Sequence, residues 1–411
     1  MSKTAGILKL MASRAALTLI PIFIASTAGA SFYSNDFNSL LTALKQSQFK
    51  TTDLWAYQDP MVGDNEFLLS AKRAPWAGNY FAMYEGGVAQ RWQLTEKTGS
   101  AQFPQYDDEL ATKEVAKTMT PEQIDMLSPA EKYDLFVGDY RYSATRHEVN
   151  YRGPLKTPKP QEWEGFCNGI RCAGYSLPEP QLPIDVVNPD GIKIRFQPAD
   201  LKALSGASYF YAQTFSDMGR PSSFNEVAAS PPNAAAFDLA LRYYLAKKQK
   251  AFVIDTFLGS EKWNESVVGY SRKLGARMAL TPEEARQFPE AKSKIRIDVI
   301  LQTMGEIDIP NSNVPTKKAV SEGKHLTPTP IAYTLYLDAN GMAKDGQWHH
   351  NPNGRGVDYA WFSKGRGKDS EHTPFSENPA MRGTGNKNLD FTTLAKLFRK
   401  AQGPKICGKL F

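Results

Sequence analysis

The sequence predicts an α+β protein rather than an alternating α/β one. Helical patterns dominate from about residue 120 to 177, a mixed region follows, and strand-like runs dominate from 251 to 338. That order is typical of helices segregated against an antiparallel sheet. The 411 residues, 41% hydrophobic and 11% aromatic, are enough for a sizeable core and exclude a disordered chain.

The first thirty residues have the pattern of an export signal. Lys3, Lys9 and Arg14 precede an apolar run over 15–25, and the small residues at 28–30 suit a cleavage site. A membrane anchor is the alternative, but the run falls short of the roughly 20 apolar residues that a span needs. Export predicts a secreted or periplasmic protein with no membrane contact after cleavage. Removing three positive charges lowers the net charge from +6 to +3, and the remaining basic residues are scattered, so no nucleic-acid partner is predicted.

Periodicity and capping residues place most elements, although residues 50–118 lack a clear period. Helices are predicted at 35–48, from Pro121, from Pro129 behind the capping residue Ser128, from near Cys167, from Asp200 to about Gln213, from Asn233, and at 391–399. Strands are predicted at 184–187 and 192–196 around an Asn-Pro-Asp-Gly turn, and at 251–257, 266–272, 295–303 and 330–338. Residues 154–160 read as a proline-rich linker and 345–388 as loop-rich.

Cys167 is the first candidate for chemistry. It follows Gly165 at the predicted start of a helix, where the helix dipole and free N–H groups stabilise a thiolate and can form an oxyanion hole. A structural or disulfide-bonded cysteine is the alternative. Cys172, five residues on, fits neither a CxxC motif nor a zinc pair, so a bond to Cys407 or inert burial is expected.

The remaining candidates are weaker. The five histidines show no metal-ligand spacing, and the adjacent His349 and His350 lie in a loop, so no metal or cofactor is predicted. Asp255 lies in a β-branched, aromatic strand, where a carboxylate is costly without a partner. It either ends the strand or orients a catalytic base. The glycine-rich segment 365–368 lacks a strand-to-helix context and is interpreted as a flexible basic loop.

Several segments together resemble the transglutaminase elicitor family, secreted proteins of oomycete cell walls that also occur in bacteria. The segments are Ser128-Pro129-Ala130-Glu131-Lys132-Tyr133-Asp134, Trp163-x-Gly165-x-Cys167-x-Gly169, Pro178-Glu179-Pro180, Asp200-Leu201-Lys202-Ala203-Leu204, Asn233-Ala234-Ala235-Ala236-Phe237, Phe252-Val253-Ile254-Asp255, Trp263-Asn264, Gly346-Gln347-Trp348 and Asp358-Tyr359-Ala360-Trp361. The resemblance runs from about 120 to 362.

The resemblance implies a papain-like thiol acyltransferase. In such an enzyme a cysteine attacks the carboxamide of a peptidyl glutamine, ammonia leaves, and a lysine amine or water resolves the thioester. Cys167 matches the nucleophile and Asp255 the acidic member of the triad. The implied partners are protein or peptide substrates with glutamine and amine donors.

The base is the main departure from the family pattern. Where the family has Ala-Phe-His, this chain has Ala236-Phe237-Asp238. An ionised aspartate is a poor substitute for imidazole near neutral pH, and it repels a thiolate. Three interpretations remain open: Asp238 is an unusual base, His349 or His350 supplies the imidazole, or the triad is degenerate.

The predicted organisation is a signal peptide (1–30), an N-terminal elaboration (31–118), a transglutaminase-like catalytic domain (119–362) and a loop-rich C-terminal extension with a final helix (363–411). Three functions are compatible with it. The first is an exported acyltransferase that uses Cys167, Asp255 and a substitute base such as Asp238. The second is an inactive relative that binds a partner, and the third is a papain-like peptidase or deamidase.

Overall fold

The computed structural model describes residues 54, 56–219, 231–257, 259, 261–349, 356–366 and 386–402. The predicted signal peptide, the helix at 35–48, and Cys407 lie outside the described residues. Within them, no helix combines the length and the apolar character that a membrane span requires.

An eight-stranded antiparallel sheet forms the centre of the molecule, with a separate two-stranded hairpin. The strands are β1 Glu66–Leu68, β2 Ile184–Val187, β3 Lys193–Phe196, β4 Gln213–Gly219, β5 Phe252–Asp255, β6 Asn264–Met278, β7 Ser293–Met304, β8 Thr327–Leu337, β9 Ala343–Trp348 and β10 Tyr359–Arg366. The sheet order is β4-β10-β5-β6-β7-β8-β9, and β1 also pairs with β6. Strands β2 and β3 form the hairpin.

Helices cover the sheet and its margins. They are α1 Trp92–Thr98, α2 Lys113–Thr118, α3 Pro121–Asp125, α4 Pro129–Val137, α5 Ser143–His147, α6 Cys167–Ser176, α7 Pro198–Ala212, α8 Ala234–Leu239, α9 Pro282–Gln287, α10 Ile309–Ser312, α11 Lys317–Ser321 and α12 Phe391–Lys400. Helices α5 and α8 continue as π-helical turns over Glu148–Arg152 and Ala240–Lys247.

The sheet separates two hydrophobic cores. Along β5, Phe252 and Ile254 face the core that contains α8, whereas Val253 faces the core that contains α6 and α7. On β10, Trp361 faces the same side as Val253. This alternation follows from the two-residue period of a strand, and it explains why β5 is buried on both faces.

The α+β class and most predicted elements are confirmed. Helices begin at Pro121 and Pro129 behind capping boxes from Thr120 and Ser128, and α6 begins at Cys167. The predicted hairpin is β2–β3, although its second strand begins at Lys193.

Two predictions need correction. Residues 345–388 are predicted to be loop-rich with no strand, but β9 and β10 extend into them as strands of the central sheet. Asp200 does not cap its helix from outside. The helix begins at Pro198, and Asp200 accepts a hydrogen bond from the backbone N–H of Gln197 (2.8 Å) while it pairs with the buried Lys132.

Candidate active site

Cys167 is the first residue of α6, as the sequence predicted, and it is 7% exposed. The first turn of a helix has N–H groups without intrahelical acceptors, and its dipole favours negative charge. The Cys167 thiol is not in a disulfide. Cys172, one turn and a half further on, is buried with its Sγ 3.0 Å from Ser363 Oγ, and its pairing with Cys407 stays a prediction.

The two glycines around Cys167 are required by close packing. A Cβ on Gly169 would lie 2.1 Å from the carbonyl oxygen of Gly206, at the point where α6 and α7 cross. A Cβ on Gly165 would lie 2.6 Å from the carbonyl oxygen of Tyr80. The spacing Gly-x-Cys-x-Gly therefore fixes the thiol between two backbone contacts.

The side chain in contact with the thiol is Asn264, the first residue of β6. Its Nδ2 donates to Cys167 Sγ at 3.3 Å, and Sγ lies 3.7 Å from the carbonyl oxygen of Lys262. Asn264 Oδ1 accepts from Trp361 Nε1 at 2.8 Å and from Tyr359 OH at 3.2 Å. Because an indole N–H can only donate, Oδ1 must face Trp361, so the NH₂ group faces the sulfur.

The pKa of the Cys167 thiol is raised. Burial is the main cause, and the charge of Glu306 adds to it, while the hydrogen bond from Asn264 and the charge of Arg171 act in the opposite direction. The resting side chain is therefore a thiol near neutral pH, and a proton must leave before it can act as a nucleophile.

Arg171 and Glu306 complete the surroundings of the thiol. Arg171 lies one helical turn after Cys167, is fully buried, and donates from Nε to the Asn264 carbonyl oxygen at 3.0 Å. Its Nη2 donates to Glu306 Oε1 at 2.7 Å. Burial raises the pKa of Glu306 to about 7 in spite of Arg171.

Asp255 lies next to Asn264, as its cross-strand partner in the β5–β6 pair. Its Oδ1 accepts backbone N–H groups from Phe257 (3.1 Å) and Trp263 (3.0 Å), so it holds the loop that leads to Asn264. Asp255 is fully buried, and its Oδ2 has no hydrogen-bond partner among the described residues. Burial, with a contribution from the charge of Asp358, raises its pKa to about 7.

Asp238 lies in a buried charge cluster in the other core. Its Oδ2 accepts from Arg242 Nε and Nη2 at 2.9 and 2.7 Å. Its Oδ1 is 2.9 Å from Arg272 Nη2 and accepts from Tyr333 OH at 2.7 Å. Burial alone would raise the pKa of Asp238, but the two guanidinium groups outweigh burial and lower it. Asp238 is an ionised carboxylate with both oxygens engaged.

This cluster is remote from the thiol. Arg272, which contacts Asp238, and Asn264, which contacts Cys167, lie eight residues apart on β6. That separation is about 26 Å in an extended strand. The structure does not bring Asp238 to Cys167, so the position of Asp238 does not fit the role of substitute base that the sequence suggested.

No histidine contacts Cys167 within the part of the chain that the structure describes. His349 follows β9, where its Nε2 is 2.8 Å from Thr334 Oγ1 and its Nδ1 is 3.1 Å from Arg296 Nη1. Arg296 lies near the start of β7, eight residues before Met304, and it is the Met304 end of the strand that approaches Asn264. His349 therefore lies at the opposite end of these strands from Cys167. His350 and His372 lie outside the described residues.

The family assignment follows from the whole sequence. Residues 65–376, about three quarters of the chain, match the family described as transglutaminase elicitor. The chain belongs to the transglutaminase elicitor family. The match begins well before residue 120, where the recognisable motifs begin, and it takes in β1 and the helices up to residue 118. A comparison with curated protein sequences returns no match.

A solved structure has a fold similar to that of this chain. The chain is similar to the GP42 transglutaminase from Phytophthora sojae, with a TM-score of 0.57 at 20% sequence identity, over 85% of this chain and 96% of that chain. The transglutaminase-like fold of this elicitor-family chain is therefore established, whereas the residues around Cys167 must be interpreted from their own geometry.

Three residues around Cys167 are not among the site residues that the sequence predicts. Asn264 occurs there only as part of a family segment, and Arg171 and Glu306 are not among the candidates. Glu306 lies 135 residues after Arg171, so only the pairing of β6 with β7 brings it to the site. Arg171 carried a usable signal, because a residue four positions after a helix-initial cysteine shares its face.

Proposed function

We propose that the protein is an exported, transglutaminase-like thiol acyltransferase with Cys167 as its nucleophile. The observation that carries this proposal is the contact of Asn264 Nδ2 with Cys167 Sγ at a helix N-terminus. A buried amide donor and a helix dipole both favour a negative charge on the sulfur or on an oxygen bonded next to it. A purely structural cysteine needs neither.

The proposed reaction is acyl transfer from peptidyl glutamine. Cys167 Sγ attacks the carboxamide carbon, the carbonyl oxygen takes up negative charge, and the carbon–nitrogen bond breaks to release ammonia. The first-turn N–H groups of α6 and Asn264 Nδ2 are the donors placed to stabilise that oxygen. A lysine amine or water then resolves the thioester.

Asp255 is proposed to be a positioning residue for Asn264. Its Oδ1 holds the backbone of Phe257 and Trp263, and this fixes the start of β6 and thereby the amide of Asn264. Trp361 and Tyr359 orient the same amide from the other side. Asp238 is proposed to stabilise the fold through Arg242 and Arg272 and to take no part in the reaction.

A binding protein without turnover is the second candidate. It is favoured by one observation: the side chain in contact with the thiol is an amide, which cannot accept a proton, and burial raises the thiol pKa. A protein of this kind would retain the site for a glutamine-containing peptide and would not form a thioester.

Incorporation of a fluorescent primary amine into casein by the mature protein separates these candidates. The acyltransferase proposal expects fluorescence in casein from wild type and none from Cys167→Ala, with equal folding of both proteins. Release of ammonia without incorporation of the amine indicates hydrolysis. No ammonia and no incorporation, with retained binding of a glutamine peptide, indicates the binding protein.

A further inference from the structure

Glu306 lies beside Asn264 because of strand register. The pairing of β6 with β7 places Ser266 opposite Met304. Two more residues in the same antiparallel register lead to Asn264 on one side and Glu306 on the other. Gly305 supports this continuation, since a Cβ there would lie 3.7 Å from Glu265 Oε1.

One guanidinium group joins Glu306 to Asn264, the residue whose amide contacts the thiol. Arg171 bonds the Asn264 carbonyl oxygen through Nε and Glu306 Oε1 through Nη2. Because Arg171 follows Cys167 by four residues, both side chains lie on the same face of α6. The thiol, the amide and the carboxyl group of Glu306 therefore surround one end of β6.

The second oxygen of Glu306 is the unusual feature. Glu306 Oε2 is buried and has no hydrogen-bond partner among the described residues, although the side chain as a whole is 20% exposed. A buried carboxylate oxygen without a donor is costly and calls for an explanation. Transfer of a proton between the thiol and Glu306 Oε2 would explain why this oxygen has no other partner. The partial exposure of the side chain leaves Glu306 accessible to a substrate.

The electrostatics agree with this geometry. Burial raises the pKa of Glu306 to about 7, with Arg171 lowering and Glu265 raising it, and the charge of Glu306 raises the pKa of the Cys167 thiol. The charge of Glu306 also contributes to the raised pKa of Tyr80, after burial and the charges of Tyr84 and Glu85. A group that titrates near neutral pH is suited to accept and return a proton.

We propose that Glu306 is the catalytic proton acceptor and donor for Cys167, in the role that imidazole has in other thiol acyltransferases. As the Sγ–carbon bond forms, the thiol proton moves to Glu306 Oε2 and the carbonyl electron pair moves to oxygen. When the carbon–nitrogen bond breaks, Glu306 returns the proton to the leaving nitrogen, which departs as ammonia. The second half of this inference rests on the proposed acyltransferase function.

Asp255 is less suited to this role. It is fully buried, and its Oδ1 is engaged by two backbone N–H groups of its own loop. Glu306 has one side-chain partner, Arg171, and is partly exposed.

The test compares two rates in wild type, Glu306→Gln and Glu306→Asp between pH 5 and 10. One is alkylation of Cys167 by iodoacetamide, followed by mass spectrometry of the peptide that contains it. The other is amine incorporation into casein. Glutamine retains an oxygen that accepts from Arg171 but carries neither a charge nor a titratable proton. Without the charge of Glu306 the pKa of the thiol should fall, so alkylation at pH 8 should become faster. Without the proton acceptor, incorporation should fall by about 100-fold or more. Aspartate should restore part of the incorporation.

Opposite changes in the two rates are the signature of a proton acceptor, because disruption of the site would slow both. Glu322→Gln, which removes an exposed carboxylate paired with Lys324, is the matched control and should leave both rates near wild type. An unchanged alkylation profile in Glu306→Gln, or unchanged incorporation, would overturn the inference about Glu306. Absence of incorporation in wild type would overturn the acyltransferase proposal, and the alkylation profile would still decide whether Glu306 and Cys167 share a proton.

Discussion

Asn264 Nδ2 donates a hydrogen bond to Cys167 Sγ across 3.3 Å, and the indole N–H of Trp361 fixes the orientation of that amide. The arrangement joins the start of α6 to the start of β6, the two elements between which the thiol lies. An amide in this position stabilises a thiolate or an oxyanion but cannot remove a proton. The acid–base function of the site must therefore come from another group.

Asn264→Asp tests the amide directly. The substitution keeps the shape but places a carboxylate against the sulfur, so the thiol pKa should rise and alkylation of Cys167 at pH 8 should slow. Loss of one such donor typically lowers turnover by about 10²–10³-fold. Asn311→Asp, at an exposed position of the short helix α10, is the control and should change neither rate. Equal alkylation rates for Asn264→Asp and wild type would contradict the assignment.

Asp238→Asn tests the charge cluster of the other core. The substitution leaves Arg242 and Arg272 buried without their counter-ion, so the free energy of unfolding should fall by about 3–5 kcal/mol. Urea unfolding measures it. Asp298→Asn, which breaks an ion pair with Arg296 that is half exposed, should change stability by less than about 1 kcal/mol. If Asp238 were instead the catalytic base, its substitution would abolish transfer without this loss of stability.

The same cluster predicts that the protein loses stability in acid. The folded-state pKa of Asp238 lies below its unfolded value of 3.8, so its contribution to stability is present above that value and is lost as pH falls through the folded pKa. Wild type should therefore lose stability below about pH 4 more steeply than Asp238→Asn does. Parallel stability curves for the two proteins would argue against an ionised Asp238.

Asp255→Asn should change stability in a way that depends on pH. The pKa of Asp255 is raised from 3.8 to about 7, so the folded state holds a proton that the unfolded state has lost between these pH values. Stability from this group is present at low pH and is lost as pH rises through about 7, so the neutral asparagine should stabilise the protein at pH 8 by up to about 4 kcal/mol. At pH 4 the two proteins should be similar.

Transfer should fall in Asp255→Ala, because alanine lacks the oxygen that holds the loop leading to Asn264. Asparagine keeps an Oδ1 that can accept both backbone N–H groups, so Asp255→Asn should retain most of the transfer. Asp185→Ala, in an exposed ion pair with Arg195, is the control. Retained transfer in Asp255→Ala would remove Asp255 from the proposed site.

Gly169→Ala tests the helix crossing below the thiol. The added Cβ would lie 2.1 Å from the Gly206 carbonyl oxygen, so α6 and α7 must separate, at a cost of about 1–3 kcal/mol or more. Gly305→Ala, where the nearest atom is 3.7 Å from the new Cβ, should be close to neutral. Equal unfolding midpoints in urea for the two variants would show that α6 and α7 accommodate a Cβ at position 169 without separating.

The sequence was sufficient for those parts of the protein that local chemistry determines. Ser128 and Thr120 begin helices through capping boxes, and Cys167 begins α6 between two glycines. Strands β9 and β10 were missed because turn residues and glycines surround them, and their pairing with distant strands stabilises them.

The site was only partly predictable for a related reason. Cys167 carries a local signal, whereas Asn264 and Glu306 reach it through the pairing of strands far away along the chain. The motif gives the place of Asp238 in the sequence but not its neighbours. These include Arg242 and Arg272, two arginines from different elements that pair with Asp238 in the other core.

The central claim is that Cys167 accepts an acyl group, and its most direct test is mass spectrometry of the peptide that contains Cys167. The mature protein is incubated with a short glutamine peptide blocked at its N-terminus, quenched in acid, and digested. We predict a mass increase on the peptide that contains Cys167, equal to the glutamine peptide less ammonia, and its absence in Cys167→Ala. Release of ammonia by wild type with no such adduct, or an adduct that persists in Cys167→Ala, would contradict the account.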